Sequence, residues 1–159
     1  MKRPALVAYT LALAVIVVDQ LVKRWVLTGL GLGDGHVEHV LGPLQFSLVW
    51  NRGVSFGFLG GGWARWGLTV FAVVVSLGLA IWIWRAHRLF TGVAIGLVMG
   101  GALGNMIDRV IYGAVVDFVD VHEIGFFPWV FNVADSSITC GVILLLAEGL
   151  LVREPPKPA

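Results

Sequence analysis

GGALGNMIDRVIYGAVVDFVDVHEIGFFPWVFNVADS, residues 100–136, is the stretch on which the reading of this chain turns. It sets Asp108, Arg109, Asp117, Asp120 and Asp135 beside or between two long apolar segments. A charge in or next to lipid is expensive, so an ionisable residue there is a functional candidate by default. Two of the five stand out. Asp117 follows the β-branched run Ala114-Val115-Val116, and Asp135 follows Phe131-Asn132-Val133-Ala134 at the opening of the last apolar run. Their spacing is too long for one helical turn to relate them and suits a polar excursion that ends one spanning helix and starts the next.

The composition makes this a membrane argument. The 159 residues are 58% hydrophobic and 13% charged, with a mean hydropathy of +0.88, which leaves too little polar surface for a water-soluble globule of this size. With the single cysteine Cys140, no intrachain disulfide framework can form. A net charge of +1 gives no polybasic tail, so nucleic acid is not an expected partner.

In chain order, Met1-Lys2-Arg3-Pro4 and the apolar run after it resemble a signal peptide at first sight, but the run continues through Leu27, long enough to span. Asp19 and Lys23, four apart on one helical face, can pair near the outer end of that span. After the first span, Gly29, Gly31, Gly33, Gly35 and Pro43 break any helix, and alternation begins at Leu44 and leads to a turn signal at Asn51-Arg52-Gly53. The segment reads as a small β cradle on the membrane surface, with Val54 to Phe58 as its return strand. Uncharged runs from Trp66 to Trp84 and from Leu89 to Ile107 are joined by the basic turn Arg85-Ala86-His87-Arg88. Gly92, Gly96 and Gly100 give the second run a smooth stripe, fit either for helix packing or for a lipid-like substrate.

The expected architecture is an all-α integral membrane protein in one membrane-embedded domain covering residues 1–159. Its spans are about 5–27, 66–84, 89–107 and 134–152, and the β cradle, about 29–62, lies between the first and second. Four spans put both termini on one side. Lys2, Arg3, Arg85, Arg88, Arg153 and Lys157 share that side and favour it as cytoplasmic, which turns the cradle and the carboxylates outward.

Two carboxylates crowded at a membrane surface cannot both ionise cheaply, so one proton is shared and the pair offers a base and an acid in one site. Such a pair cleaves an amide without a metal or a covalent intermediate. Asp117 and Asp135 are the candidates for it. Asn105, Asp108 and Arg109 share a helical face and are assigned to holding the surroundings of the pair, while Asp120 and Glu123 are expected to be exposed. A small ion-coupled transporter or proton channel would also place carboxylates in spans, but the chain lacks a repeat of paired broken helices. Cys140 reads as a small hydrophobe within the last span.

At these residues the chain resembles the bacterial lipoprotein signal peptidases, the type II signal peptidases. The resemblance rests on Asp19-Gln20 with Lys23, Asn51-Arg52-Gly53-Val54-Ser55-Phe56-Gly57, residues 100–109, Val115-Val116-Asp117-Phe118 and Phe131-Asn132-Val133-Ala134-Asp135-Ser136, in this order among four spans. It implies an aspartic endopeptidase of the bacterial cytoplasmic (inner) membrane. Such an enzyme removes the signal peptide of a prolipoprotein before a diacylglyceryl-modified cysteine, beside membrane lipid and with no cofactor. A monomer that holds no metal is expected. It implies Asp117 and Asp135 as the catalytic pair, Asn51, Asn105, Arg109 and Asn132 as polar residues lining the site, and Asp19 and Lys23 as supporting ones. Gly53 and Ala134 come in with the motifs that contain them.

Overall fold

The structure, a computed structural model, describes residues 2–32, 37–53, 62–125 and 129–151. Four helices long and apolar enough to cross a membrane form its frame: α1 (Arg3–Gly29), α2 (Gly62–Ile83), α3 (Leu89–Ile111) and α4 (Val133–Leu151). At 1.5 Å per residue the shortest is about 28 Å long, close to the thickness of a hydrocarbon core. Leu6, Leu13, Phe71, Leu77, Ile143 and Leu146 are exposed along these helices, as side chains that face lipid rather than water are.

The stripe Gly92, Gly96, Gly100 is filled by α1. A Cβ on Gly92 would lie 2.6 Å from the carbonyl oxygen of Pro4, and one on Gly96 would lie 2.7 Å from that of Ala8. On Gly100 it would meet the Ala12 carbonyl oxygen at 2.8 Å. Each step of four on α3 matches a step of four on α1, so the two helices run parallel with backbones in close approach, as small residues permit in lipid. No acyl chain fits between them, so of the two readings of this stripe helix packing is the one that holds. On the other side of α3, Gly101 abuts the carbonyl of Ala134, and Gly141 of α4 approaches Ala94 and Val98, an antiparallel pair. α3 is therefore the central post, with α1, α2 and α4 packed on it.

Above one end of the bundle lies an antiparallel sheet of four strands in the order β1 (Val37–Leu41), β2 (Leu44–Asn51), β3 (Val115–Asp120), β4 (Val130–Phe131). Gly42, at φ +55°, opens the two-residue turn between β1 and β2. Among the described residues the cradle thus takes half its strands from the α3–α4 connection, where the sequence suggests only a polar excursion. Tertiary pairing recruits the Val115-Val116 run because β2 otherwise leaves an unpaired edge. Val54 to Phe58, read as a return strand, lies outside the described residues. Asp120, expected to be exposed, is buried at the inner side of β3: Ser47 Oγ donates to its Oδ2 at 2.8 Å and the His122 backbone N–H to its Oδ1 at 3.0 Å. A strand buried on both faces leaves no solvent side for it. Glu123 is exposed, as expected.

Candidate active site

Sheet register brings the first two polar groups together. Asn51 pairs with Val115, two residues before Asp117, so Asn51 and Asp117 are diagonal neighbours on one face. Asn51 Nδ2 donates to Asp117 Oδ2 at 2.9 Å. The Gly53 backbone N–H in turn donates to Asn51 Oδ1 at 3.1 Å, which fixes the amide so that its N–H₂ faces the carboxylate. The Asn-x-Gly motif is thus a turn that aims a donor.

Asp135 arrives from another direction. β4 ends at Phe131, and Asn132 precedes α4. Asn132 Oδ1 accepts from the Asp135 backbone N–H at 2.8 Å, while Asp135 Oδ2 accepts from the Asn132 backbone N–H at 3.3 Å. This reciprocal pair is a capping box with aspartate in its third position. It places a carboxylate at a helix N-terminus, where the backbone dipoles favour negative charge. The other oxygen, Oδ1, accepts from Asn105 Nδ2 at 2.7 Å.

Asn132 joins the two aspartates. Its Nδ2 donates to Asp117 Oδ1 at 2.6 Å and lies 3.2 Å from Asn105 Oδ1 and 3.3 Å from the Val116 carbonyl. Asp117 and Asp135 line a common cavity of about 490 Å³ with Asn51, Trp129, Phe131 and Thr139. Burial, and then the charge of Asp135, push the Asp117 carboxyl up from 3.8 to about 7, against the pull of its two asparagine donors.

Beneath this pair lies a buried ionic group inside the bundle. Lys23 Nζ sits 2.8 Å from Asp19 Oδ2 and 2.7 Å from Asp108 Oδ2, all three side chains being 2% exposed or less. Lys23 also donates to Asn105 Oδ1 at 3.1 Å, which turns the Asn105 N–H₂ toward Asp135. Asp108 accepts from the Val116 backbone N–H, and Asp19 from that of Ala134 at 2.9 Å, so the same group pins β3 and the start of α4. Ala134 is small because it is wedged against α3, 3.5 Å from where a Gly104 Cβ would stand. The sequence alone left Lys23 and Asp19 as a pair near a membrane exit; here they are sealed among helices.

Gln20 also belongs to this buried group, although the sequence pattern assigns it no role. Its Nε2 donates to Asp108 Oδ1 at 2.8 Å and reaches Asp19 Oδ2 and the Gly104 carbonyl. A polar side chain within an apolar span was signal enough to find it. Arg109 stands beside the aspartates without an ion pair to either among the described residues: its Nη1 donates to the Asn105 carbonyl at 3.4 Å. With Asn105 and Asp135 it borders a second cavity of about 270 Å³ walled by Leu68, Phe71 and Ile138. Cys140 is exposed and lines the larger cavity.

A family model described as signal peptidase (SPase) II matches residues 11–151. The chain belongs to the signal peptidase II family. The lipoprotein signal peptidase of Caulobacter vibrioides is 48% identical over 154 residues, covering 96% of this chain and 91% of that protein. That of Methylorubrum extorquens is 42% identical over 147 residues, 91% and 85% of the two chains. Two solved structures, each described as a bacterial membrane enzyme, share the fold at 32% identity. Their TM-scores are 0.79 and 0.80, and each covers over nine-tenths of both chains. The family is one of proteases in bacterial membranes, and membership leaves the transporter reading without support.

Proposed function

We propose that this chain removes the signal peptide from diacylglyceryl-modified prolipoproteins, cutting before the lipid-bearing cysteine, with Asp117 and Asp135 as an aspartic pair. The observation that carries the reading is that the two carboxyls, from a strand and from a helix N-terminus, line one cavity and are both held by Asn132. The names of the relatives support the substrate class.

In the proposed step, one carboxyl is protonated and the other ionised. Burial favours the proton on Asp117, whereas the capping box and Asn105 offer the Asp135 carboxylate two N–H donors that suit an anion. The ionised group takes a proton from water as it attacks the scissile carbonyl, and the protonated one donates to the carbonyl oxygen; as the tetrahedral intermediate collapses, the first passes its proton to the leaving nitrogen and the second takes one back from a hydroxyl of the intermediate. Asn51, Asn105 and Asn132 keep the carboxyls aimed throughout. Gly53 and Ala134 act through backbone N–H groups, and Asp19, Lys23 and Asp108 hold the asparagine and strand behind them. Arg109 supplies a positive field at the mouth of the site. Both termini face the cytoplasm and the sheet faces outward, in a single domain that works as a monomer in the inner membrane.

The test is cleavage of a diacylglyceryl-modified precursor by detergent-purified, folded variants. Asp117→Asn and Asp135→Asn each lose turnover by about 10²–10⁴-fold, the usual worth of a general acid or base. The double variant is little worse, since the groups act as a unit. Substantial turnover in either single variant overturns the pairing.

A further inference from the structure

Glu148 is an acidic residue within the apolar α4 that the proposed chemistry does not use. Its side chain is only 14% exposed, and both carboxylate oxygens lie 2.9 Å from the Thr91 hydroxyl. Arg88, 53% exposed, approaches only to 3.7 Å. A carboxylate in such a place is a candidate for recognition rather than decoration. It opens onto a cavity of about 430 Å³ at the end of the bundle remote from the aspartates.

That cavity and the smaller one beside Asp135 are walled by the same three helices. Val75, Val98 and Ile138 border the upper one, and Trp82, Thr91 and Leu145 the lower. On each helix the two residues are seven apart, two turns along one face, so the cavities lie about 10 Å apart on one side of the bundle. On that side α2 and α4 both pack on α3. Val142 of α4 is exposed between the two levels, leaving an apolar track. From Asp135 to Glu148 is thirteen residues of α4, about 20 Å.

A signal peptide has a positively charged N-terminal region followed by 7–15 apolar residues and then the cleavage site. As a helix the apolar part measures about 10–22 Å, which matches the distance from the aspartates to Glu148. We infer that Glu148 receives the basic N-terminal region of the signal peptide while its other end lies at Asp117 and Asp135, an inference that rests on the function proposed above. Of the charged and titratable groups facing Glu148, Arg88 and His87 come from the α2–α3 turn. An incoming lysine or arginine replaces Arg88, whose half-exposed side chain can turn to water. Thr91 keeps the carboxylate aimed meanwhile.

The experiment compares two diacylglyceryl-modified precursors that differ only in their N-terminal regions, one with lysines and one with glutamines in their place. The wild-type enzyme is expected to cleave the basic precursor with about tenfold higher kcat/KM, the scale of one charge-assisted contact. Glu148→Gln removes that preference and leaves cleavage of the neutral precursor unchanged, which also shows that the variant folds. Arg88→Gln, by freeing Glu148, raises the preference. Equal wild-type rates on the two precursors overturn the inference, whether or not the variant folds. Equal loss on both in Glu148→Gln also overturns it and assigns Glu148 to packing or to a lipid headgroup. Failure of the wild type to release a signal peptide from either precursor would instead refute the proposed function.

Discussion

Asn132 Nδ2 stands 2.6 Å from Asp117 Oδ1, and the backbone N–H of the same asparagine reaches Oδ2 of Asp135. One residue therefore orients both carboxyls and caps α4. Asn132→Ala loses the cap, worth about 1 kcal/mol, and leaves Asp117 without its shortest donor. Asn132→Asp keeps an acceptor for the helix but replaces the donor to Asp117 with a charge. The alanine variant should be both less stable and inactive, whereas the aspartate variant should keep most of its stability and still lose activity. Thermal unfolding and cleavage rates measured together decide this; an active aspartate variant would show that the donor is dispensable.

The raised Asp117 carboxyl predicts a pH effect on stability. Its folded value of about 7 lies above the ordinary 3.8, so the native state binds this proton more tightly than the unfolded chain. The resulting stabilisation is complete below about pH 4 and is lost as pH rises through 7. Asp117→Asn stays neutral throughout, so it should gain on the wild type between pH 5 and pH 8 by on the order of a few kcal/mol. Unfolding midpoints at those two pH values measure it, and a constant gap would count against a proton held at Asp117.

Lys23 sits between two fully buried carboxylates. Lys23→Met should cost about 3–5 kcal/mol, because it strands charges that water cannot reach. Neutralising all three together, with Asp19→Asn and Asp108→Asn, should restore much of that loss. Unfolding of the single and triple variants tests the point, and a single variant as stable as the wild type would contradict the role given to this group.

Asp120 belongs to the sheet rather than to the site. Burial alone would raise its carboxyl, but hydrogen bonds from the His122 backbone and ring and from Ser47 outweigh that and lower it. A lowered carboxyl stabilises the fold above the ordinary range and ceases to do so as pH falls through its folded value. Asp120→Asn should thus lose about 1 kcal/mol at neutral pH and nothing in strong acid, with cleavage within a few fold of the wild type. A loss of turnover matching that of Asp117→Asn would move Asp120 into the active site.

The sequence by itself determined the membrane frame, because four apolar runs of span length can satisfy their backbone groups in lipid only as helices. It also singled out Asp117 and Asp135, since a carboxylate beside such runs needs a reason to be there, and motif order pointed to the family. Local pattern could not decide what the glycines of α3 face, because a small-residue stripe serves a neighbouring helix and a lipid equally well; only the register of Pro4, Ala8 and Ala12 against them settled it. Nor could it seal Lys23, join Val115 to the cradle, or bury Asp120. Those outcomes depend on pairings between residues 64 to 88 positions apart, such as Asn51 with Val115 and Gln20 with Asp108. Spacing along a helix or strand says which side a residue takes, and the fold alone says what meets it there.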